Sequence, residues 1–496
     1  MKKILLFLFS LFIFISCSPK EEDKQTIVVA NFADAKTLDP HGTNDSNSSI
    51  IIYQIYDRLV ELDDQLNIIP NLVTSFEKID DNTYLFFLKK NILFHDGSQL
   101  TSEDVKFSLE RMKNSPRVSH IIEALERVDI IDDYSFKIKT TKPFAPFIKH
   151  LAHPASSILN KNETIKLGQK YGHSPIGTGP YKFISWDIGN KITLKSFNNY
   201  WKGETPIKNL IFKTITEGTN RTIALETGEA DISFDIPIID KDKVISSSQL
   251  ILSETPGLNT VDLAFNNSKY PFNNPDIRQA FAMAIDVEAI IQSIYSGGAI
   301  KANAPIAPNV FGYDSKIKEV PYNPQKAKEI LDKYNFKETI TLELHDDQIR
   351  KDIATIIQAQ LKDINIDINI EILEFGTSLE RTAKGEYQMG IFGWTSVTGD
   401  TDYGLYPRFH SKNHGEYGNR VRYTNKKVDS LLDIGKSIME PEKRKVIYTN
   451  ILEIIQEDVP LFPLVYPTNR IGFNKKIKNL TINPSGTFSL YGISKD

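Results

Sequence analysis

The sequence predicts a mixed fold, α/β with α+β character, divided into more than one domain. Three observations lead there. Alternating apolar and polar stretches and stretches of helical period follow one another along almost the whole chain, so strands and helices are interleaved. The 496 residues are enough for two or three domains. The composition, 40% hydrophobic and 25% charged, is that of a folded globular chain, with no internal repeat.

The first segment reads as targeting rather than fold. Lys2 and Lys3 precede an apolar run from Ile4 to Ile15, broken only by Ser10. Its 12 residues fall short of the roughly 20 that a spanning helix needs, and they suit the core of a signal peptide. Ser16 then precedes Cys17, the only cysteine of the chain. A lone thiol at that point resembles the lipobox of bacterial lipoproteins, with Phe14 where that motif usually has Leu. This implies a signal peptide over 1–16 and a lipidated tether over 17–25. Each acyl CH2 buried in a membrane adds about 0.8 kcal/mol, and stable anchoring takes more than one chain. An ordinary secretory signal with an incidental cysteine is the alternative. The following "SPKEEDKQ" is too polar to bury a core.

The elements of the body follow in order. "TIVVA" (Thr26–Ala30) is a strand, and "NTYLFFLKKNILFHDG" is a strand running to an Asp96-Gly97 turn. In "LTSEDVKFSLERM", Thr101 precedes Glu103 and Asp104, which suit the positive end of a helix, and Val105, Leu109 and Met112 share a face. "YSFKIKT" is a strand, "PIGTGPYKFISW" a break followed by a strand, and "KITLKSF" its partner. "TNRTIALETGEADI" is a helix closed by Gly228 and followed by a strand. "ETPGLNTVDLAFNN" crosses a Pro256-Gly257 break into a strand, and "NPDIRQAFAMAIDVEAIIQSI" reads as one long helix. "YNPQKAKEILDKY" and "DDQIRKDIATIIQAQLKDIN" are helices around the strand "TITLELH"; "IDINIEILE" and "QMGIFGW" are further strands. "KVDSLLDIGKSI" and "EKRKVIYTNILEIIQED" are late helices, and "PLFPLVYPTNRIGF" is a broken strand.

Composition excludes some functions. A net charge of −4 argues against nucleic-acid binding, which needs a basic face. Beyond Cys17 there is no thiol, hence no disulfide and no thiolate chemistry. No G-x-S-x-G elbow, H-E-x-x-H or P-loop is present, and "GTGPYK" lacks the third glycine of a dinucleotide fingerprint, so the chain reads as no enzyme, with no cofactor. His410 and His414 are four apart beside Glu416, but Asn413, Gly415 and Gly418 suggest a loop, where that spacing has no metal-binding meaning. His150 and His153 read as surface or capping residues.

Several motifs in order then carry a resemblance. They are "KTLDPH" (Lys36–His41), "IYDRLVELD" (Ile55–Asp63), "LKKNILFHDGSQLTSEDVKFSLER" (Leu88–Arg111), "IGTGPYKF" (Ile176–Phe183), "LETGEADI" (Leu225–Ile232), "LAFNN" with "NPDIRQAFAMAID", "YNPQKAKEIL", and "GWTSVTGDTDYGLYPRFHS". Over nearly the whole body the chain resembles the extracellular solute-binding proteins of the oligopeptide/dipeptide/nickel group (family 5), the capture subunits of ABC importers. The resemblance implies a two-lobed, three-domain periplasmic-binding-protein fold with a two-strand hinge. Domain I would comprise 26–60, 175–258 and 468–496, domain II would be an insertion over 61–174, and domain III would span 259–467. The breaks at Pro256-Gly257 and Pro467 fall where hinge strands would pass, near Pro256–Thr260 and Val465–Asn469.

It also implies a function: a monomer, held at the membrane by its lipid and facing the periplasm or cell exterior, that captures peptides and delivers them to permease subunits. A metal complex, haem or another non-peptide solute is the alternative within transport; a secreted hydrolase is the alternative of another class. The implied ligand contacts are Trp394, Thr398 and Asp400 of the "GWTSVTGDTDYG" segment, Asn47 and Ser49 of "HGTNDSNSS", Arg350 at a helix start, and Asn266 at a strand end. For each the alternative is structural: a core Trp, loop caps, a turn, a solvated Arg. Dipeptide-binding relatives carry an aspartate three residues after this Trp to hold the ligand's ammonium; here that position is Val397, and Asp400 is the candidate substitute, with Asp402 the other nearby acid.

Overall fold

The computed structural model describes residues 24–416, 418–486 and 488–496. The expected signal peptide, Cys17 and all but the end of the tether lie outside the described residues. Among the described residues, no helix is long and apolar enough to cross a membrane.

Three larger sheets organise the chain. In the seven-stranded sheet the strand Thr26–Asn31 is interior, parallel to Asn209–Thr214 on one side and to Ile232–Ser233 on the other. Its Ile27 and Val29 are fully buried, as a strand packed within a sheet requires. The remaining strands are Leu250–Pro256, Thr468–Asn474, Lys191–Ser196 and Tyr181–Asp187, so the chain leaves this sheet after its first strand and returns twice. The six-stranded sheet runs Ile300–Lys301, Leu461–Tyr466, Asn259–Phe265, Met389–Thr395, Ile340–His345, Ile368–Leu373. A four-stranded antiparallel sheet, Val73–Asp80, Thr83–Leu88, Ser135–Thr140 and Leu125–Asp132, lies in the segment between the first two visits to the seven-stranded sheet. Each sheet has its own apolar core.

The seven- and six-stranded sheets are joined by two adjacent crossings. Leu250–Pro256 continues into Asn259–Phe265, and Leu461–Tyr466 continues into Thr468–Asn474. Pro256 pairs with Thr468 on one side of the break and Val261 with Val465 on the other. Gly257 sits where a Cβ would meet Asn259 Oδ1 at 2.1 Å and Asn469 Oδ1 at 2.9 Å, so a larger residue at the crossing would displace these two side chains. The two lobes also touch away from these crossings. Glu123 pairs with Lys412 and Lys436, and Arg117 with Glu416 at 3.0 Å.

Most expected elements form. The capping box of Thr101 and Asp104 opens the helix Ser102–Lys113, and the helix Gly218–Glu226 ends beside Gly228 at φ +75°. One expectation is corrected: "NPDIRQAFAMAIDVEAIIQSI" is two helices, Pro275–Met283 and Val287–Tyr295. Asp286 is extended and caps the second through Ala289 N at 3.1 Å, so its carboxylate starts a new helix instead of continuing the old one. Of the helices that the sequence pattern does not announce, Ser46–Ile55, Phe375–Lys384 and Thr401–Phe409 lie in or beside the cleft described next.

Candidate functional site

A cleft of about 380 Å³ lies between the seven- and six-stranded sheets, within the range that suits a small-molecule ligand. Parallel strands point their carboxyl ends into it from both sides: Asn31 closes Thr26–Asn31 and Phe32 follows it, and His345 closes Ile340–His345. Both crossings line its floor at Asn259 and Asn469. Such a place, outside strand carboxyl ends and between two bodies, is where open α/β sheets bind ligands.

One charged corner is made by the start of the helix Gln348–Asp363. Asp347 caps this helix through Arg350 N at 3.0 Å and also accepts from Arg350 Nη1 at 3.1 Å. Arg350 Nε is enclosed without a partner. Facing it from the other lobe, Asp235 lines the cleft with φ +52°, a left-handed conformation that costs a non-glycine residue energy and suits a functional role. Among the described residues its carboxylate has no hydrogen-bond or ion-pair partner. The surrounding protein pushes its carboxyl pKa up, against the pull of Arg221. Arg221 itself is spent on backbone, donating to the carbonyls of Phe234 at 3.1 Å, Thr216 at 2.7 Å and Asp235 at 3.1 Å. It therefore holds the Asp235 loop without neutralising its carboxylate directly.

Between the lobes three rings meet. Phe32 packs on His345 at 5.6 Å and on Phe375 at 6.2 Å, and His345 on Phe375 at 5.1 Å. Burial, then the charge of Arg350, pushes the His345 pKa down to about 2, so this ring is a neutral contact at ordinary pH.

The backbone supplies a second kind of binding capacity. Met389–Thr395 pairs with Asn259–Phe265 along its whole length, but with Ile340–His345 only at Met389 and Gly390. The later residues leave one ladder edge open, and Phe392–Thr395 line the cleft. A Cβ added to Gly393 would lie 3.6 Å from Arg350 Nη2, so the guanidinium lies against the face of this strand beside its open edge.

Four of the sequence-predicted residues line the cleft: Asn47, Ser49, Arg350 and Trp394. The Trp394 ring packs on Tyr403 at 5.4 Å and its N–H donates to Tyr403 O at 3.1 Å, so it offers the cleft a face and no donor. The other three are corrected. Asp400 is 2% exposed, takes both Arg444 nitrogens at 2.8 and 3.0 Å, and caps Thr401–Phe409 through Asp402 N. Burial alone would raise its pKa; the Arg444 charge overcomes this and holds it below the usual carboxylate range. It is spent inside the fold and does not line the cleft, so it is not placed to take a ligand ammonium. Thr398 is fully buried beside it. Asn266 is fully buried, donating to Gly385 O at 3.0 Å and Tyr387 O at 2.9 Å. It ends the strand whose start, not its end, meets the crossing, which places it about 23 Å away along the strand at about 3.3 Å per residue.

The histidines also differ from expectation. His150 and His153 are buried, although His153 does cap, accepting from Ala155 N at 3.0 Å. His153 lines the cleft and bonds Tyr403 Oη at 2.9 Å. His410 follows a helix and His414 Nε2 meets Tyr423 O at 2.9 Å, so the two serve different local structures. Among the described residues, no group of three or more His, Cys, Asp or Glu is arranged to hold a metal. Sequence reading missed Asp235, Arg420 and the Phe32, His345 and Phe375 rings. The "SFDIP" that carries Asp235 looks like a strand end; only the partner lobe gives it a role.

The model of the bacterial extracellular solute-binding proteins, family 5 (middle region), matches residues 67–416. The chain is 28% identical over 477 residues to the glutathione-binding protein GsiB of Salmonella paratyphi A, covering 93% of each chain. It is 29% identical over 477 residues to heme-binding protein A of Haemophilus influenzae, covering 89% of this chain and 87% of that one. Among solved structures, the periplasmic binding protein DppA of Helicobacter pylori in complex with the peptide STSA superposes with a TM-score of 0.90 at 28% identity, covering 95% of this chain and 98% of the other.

Proposed function

The chain belongs to the bacterial extracellular solute-binding proteins of family 5, and on that premise we propose that it is the capture subunit of an ABC importer for short peptides. It binds a di- or oligopeptide between its lobes and presents the closed form to permease subunits. The observation that carries the peptide reading is the open edge of Met389–Thr395 inside the cleft, flanked by an enclosed, partnerless nitrogen on Arg350 and by the carboxylate of the exposed Asp235. A peptide laid along that edge gains main-chain hydrogen bonds that do not depend on its side chains. Arg350 takes a carboxylate and Asp235 takes the ammonium, which would otherwise be costly to desolvate. Asn47 and Ser49 contact the ligand from the seven-stranded side, and Trp394 supplies an apolar wall.

The rest of the reading follows. The seven-stranded sheet is domain I, the four-stranded sheet belongs to the inserted domain II, and the six-stranded sheet is domain III. Closure brings Phe32 onto His345 and Phe375, so ligand energy is spent on shutting the cleft. The protein works as a monomer, outside the cytoplasm, anchored through Cys17, and returns its solute unaltered. Native mass spectrometry of protein purified without denaturation tests this: a retained peptide, released at unchanged mass, is expected. A retained tetrapyrrole or metal complex, or a hydrolysed solute, would overturn it.

A further inference from the structure

We infer that Glu123 is a positioning residue for solute capture: it reaches from the part of the chain that carries the four-stranded sheet to Lys436 and Lys412 of the opposite lobe, latches the lobes shut, and so tightens binding without touching the ligand. The latch rests on capture between two lobes, whatever the solute.

The part that carries Glu123 is fixed to the seven-stranded sheet. Arg111 Nη1 donates to Asp39 Oδ1 at 2.9 Å, and Ser115 Oγ to His41 O at 2.7 Å. Glu123 therefore moves with that lobe. Its two oxygens are divided: Oε1 takes the Lys436 ammonium and Oε2 that of Lys412. The Lys436 side chain is 1% exposed, and its ammonium lies over the Tyr406 ring at 3.4 Å. A second acid, Asp433, meets Lys436 at 3.0 Å from three residues back on the same helix, Lys426–Ser437. Asp433 stays with Lys436 however the lobes stand, whereas Glu123 reaches it only when they are shut. Beside this pair, Ala145 N donates to Lys436 O at 2.8 Å. The last carbonyls of a helix have no partner within it, and here the other lobe supplies one. Burial would raise the Glu123 pKa; the charges of Lys436 and Lys412 outweigh it and hold the carboxyl below its usual range.

The other ion pairs on this side are wetter. Arg117–Glu416 is 21% and 44% exposed, and Lys142–Asp433 spans 3.9 Å with both side chains 45% exposed. Exposed pairs add little, but removing one partner of a buried cation is costly. The helix Thr401–Phe409 ties the latch to the cleft. Tyr403 lines the cleft, packs into the apolar core around the four-stranded sheet, and bonds His153 Nε2 through its hydroxyl at 2.9 Å. Tyr406, three residues on, carries Lys436. Glu123, Lys412 and Lys436 are not among the residues that line the cleft.

Calorimetry with trialanine on the purified chain tests this. Glu123→Gln keeps the shape of the side chain but leaves Lys436 with Asp433 alone when the lobes shut. Apparent affinity falls with the fraction of chains able to shut, so trialanine should bind about tenfold more weakly, with a denaturation midpoint near that of the unaltered chain. Adding Lys436→Met removes the stranded charge and leaves an unbranched side chain over Tyr406. Affinity should then return to within about threefold of the unaltered chain, since an apolar replacement of a buried ion pair is often neutral. If Glu123→Gln binds trialanine as tightly as the unaltered chain, the inference falls. It also falls if the midpoint drops along with the affinity, or if Lys436→Met restores nothing, because Glu123 is then a plain support of the fold. If trialanine does not bind the unaltered chain, the peptide reading falls and small-angle scattering decides the latch. A larger radius of gyration in ligand-free Glu123→Gln than in the unaltered chain supports it, and an unchanged radius overturns it.

Discussion

Asp400–Arg444 and Asp347–Arg350 are both arginine–aspartate pairs in the lobe built on the six-stranded sheet, and they differ in what they leave over. In the first, both carboxylate oxygens meet guanidinium nitrogens, and the side chains are 2% and 6% exposed. Arg444 Nε also donates to Gly435 O at 3.0 Å, and Nη2 to Tyr448 Oη at 2.9 Å. In the second, a single nitrogen meets a single oxygen, the side chains are 21% and 19% exposed, and Nε is left without a partner. Charge and residue type are the same in both pairs. Unspent hydrogen-bonding capacity is what separates a strut from a binding group.

The largest expected effect comes from breaking the closed pair. Asp400→Ala would leave the Arg444 guanidinium buried and uncompensated, at a cost of about 3–5 kcal/mol of stability, read by chemical denaturation. Such a loss, with peptide affinity retained in the folded fraction, is the mark of a strut. Arg350→Gln should do the opposite: peptide affinity falls by about 1.5–3 kcal/mol, as for a charged hydrogen bond, while the denaturation midpoint hardly moves. Equal losses of stability in the two variants would erase the distinction. Phe32→Leu should weaken ligand binding by about 0.5–1.5 kcal/mol by thinning the ring contact between lobes, measured by calorimetry.

The smallest effect near neutrality is a pH slope. Burial pushes His120 down to about 3 and His150 to about 4, so the unfolded chain gains protons below its ordinary histidine pKa that the folded chain refuses. Stability from these groups is present above about pH 6.5 and is lost as pH falls toward 4. Asp402, raised to about 7 mainly by burial, opposes them: folded, it takes a proton that the unfolded carboxyl refuses until about pH 4, so its contribution is lost as pH rises through 7. Its carboxylate lies 3.7 Å from His150 Nε2. Replacing Asp402 with Asn removes the opposing proton, and thermal melts between pH 7 and 4 should then fall more steeply than those of the unaltered chain.

The legibility of the fold followed its periodicity. Strands such as Thr26–Asn31 and helices such as Gln348–Asp363 alternate or repeat at the right interval, and they could be read directly. Ser46–Ile55 could not, because its face against the core and its cleft-facing start are both buried, leaving no polar stripe to mark a helix. The same limit applies to the site. Trp394 stands out by its motif and Arg350 by its place at a helix start, and both line the cleft, but Asp400 and Asp235 are ordinary acids in ordinary loops. Arg444, 44 positions away, spends the first, and the opposite lobe gives the second its use. Neither fact is local to the sequence.

The most direct measurement compares one short peptide with its doubly capped form, acetylated at the amine and amidated at the carboxyl, by calorimetry on the unaltered chain. If the free groups of Arg350 and Asp235 receive the ligand's charges, capping should weaken binding by more than a hundredfold. Equal affinity of the free and capped peptides would contradict it, since the backbone edge alone would then account for binding.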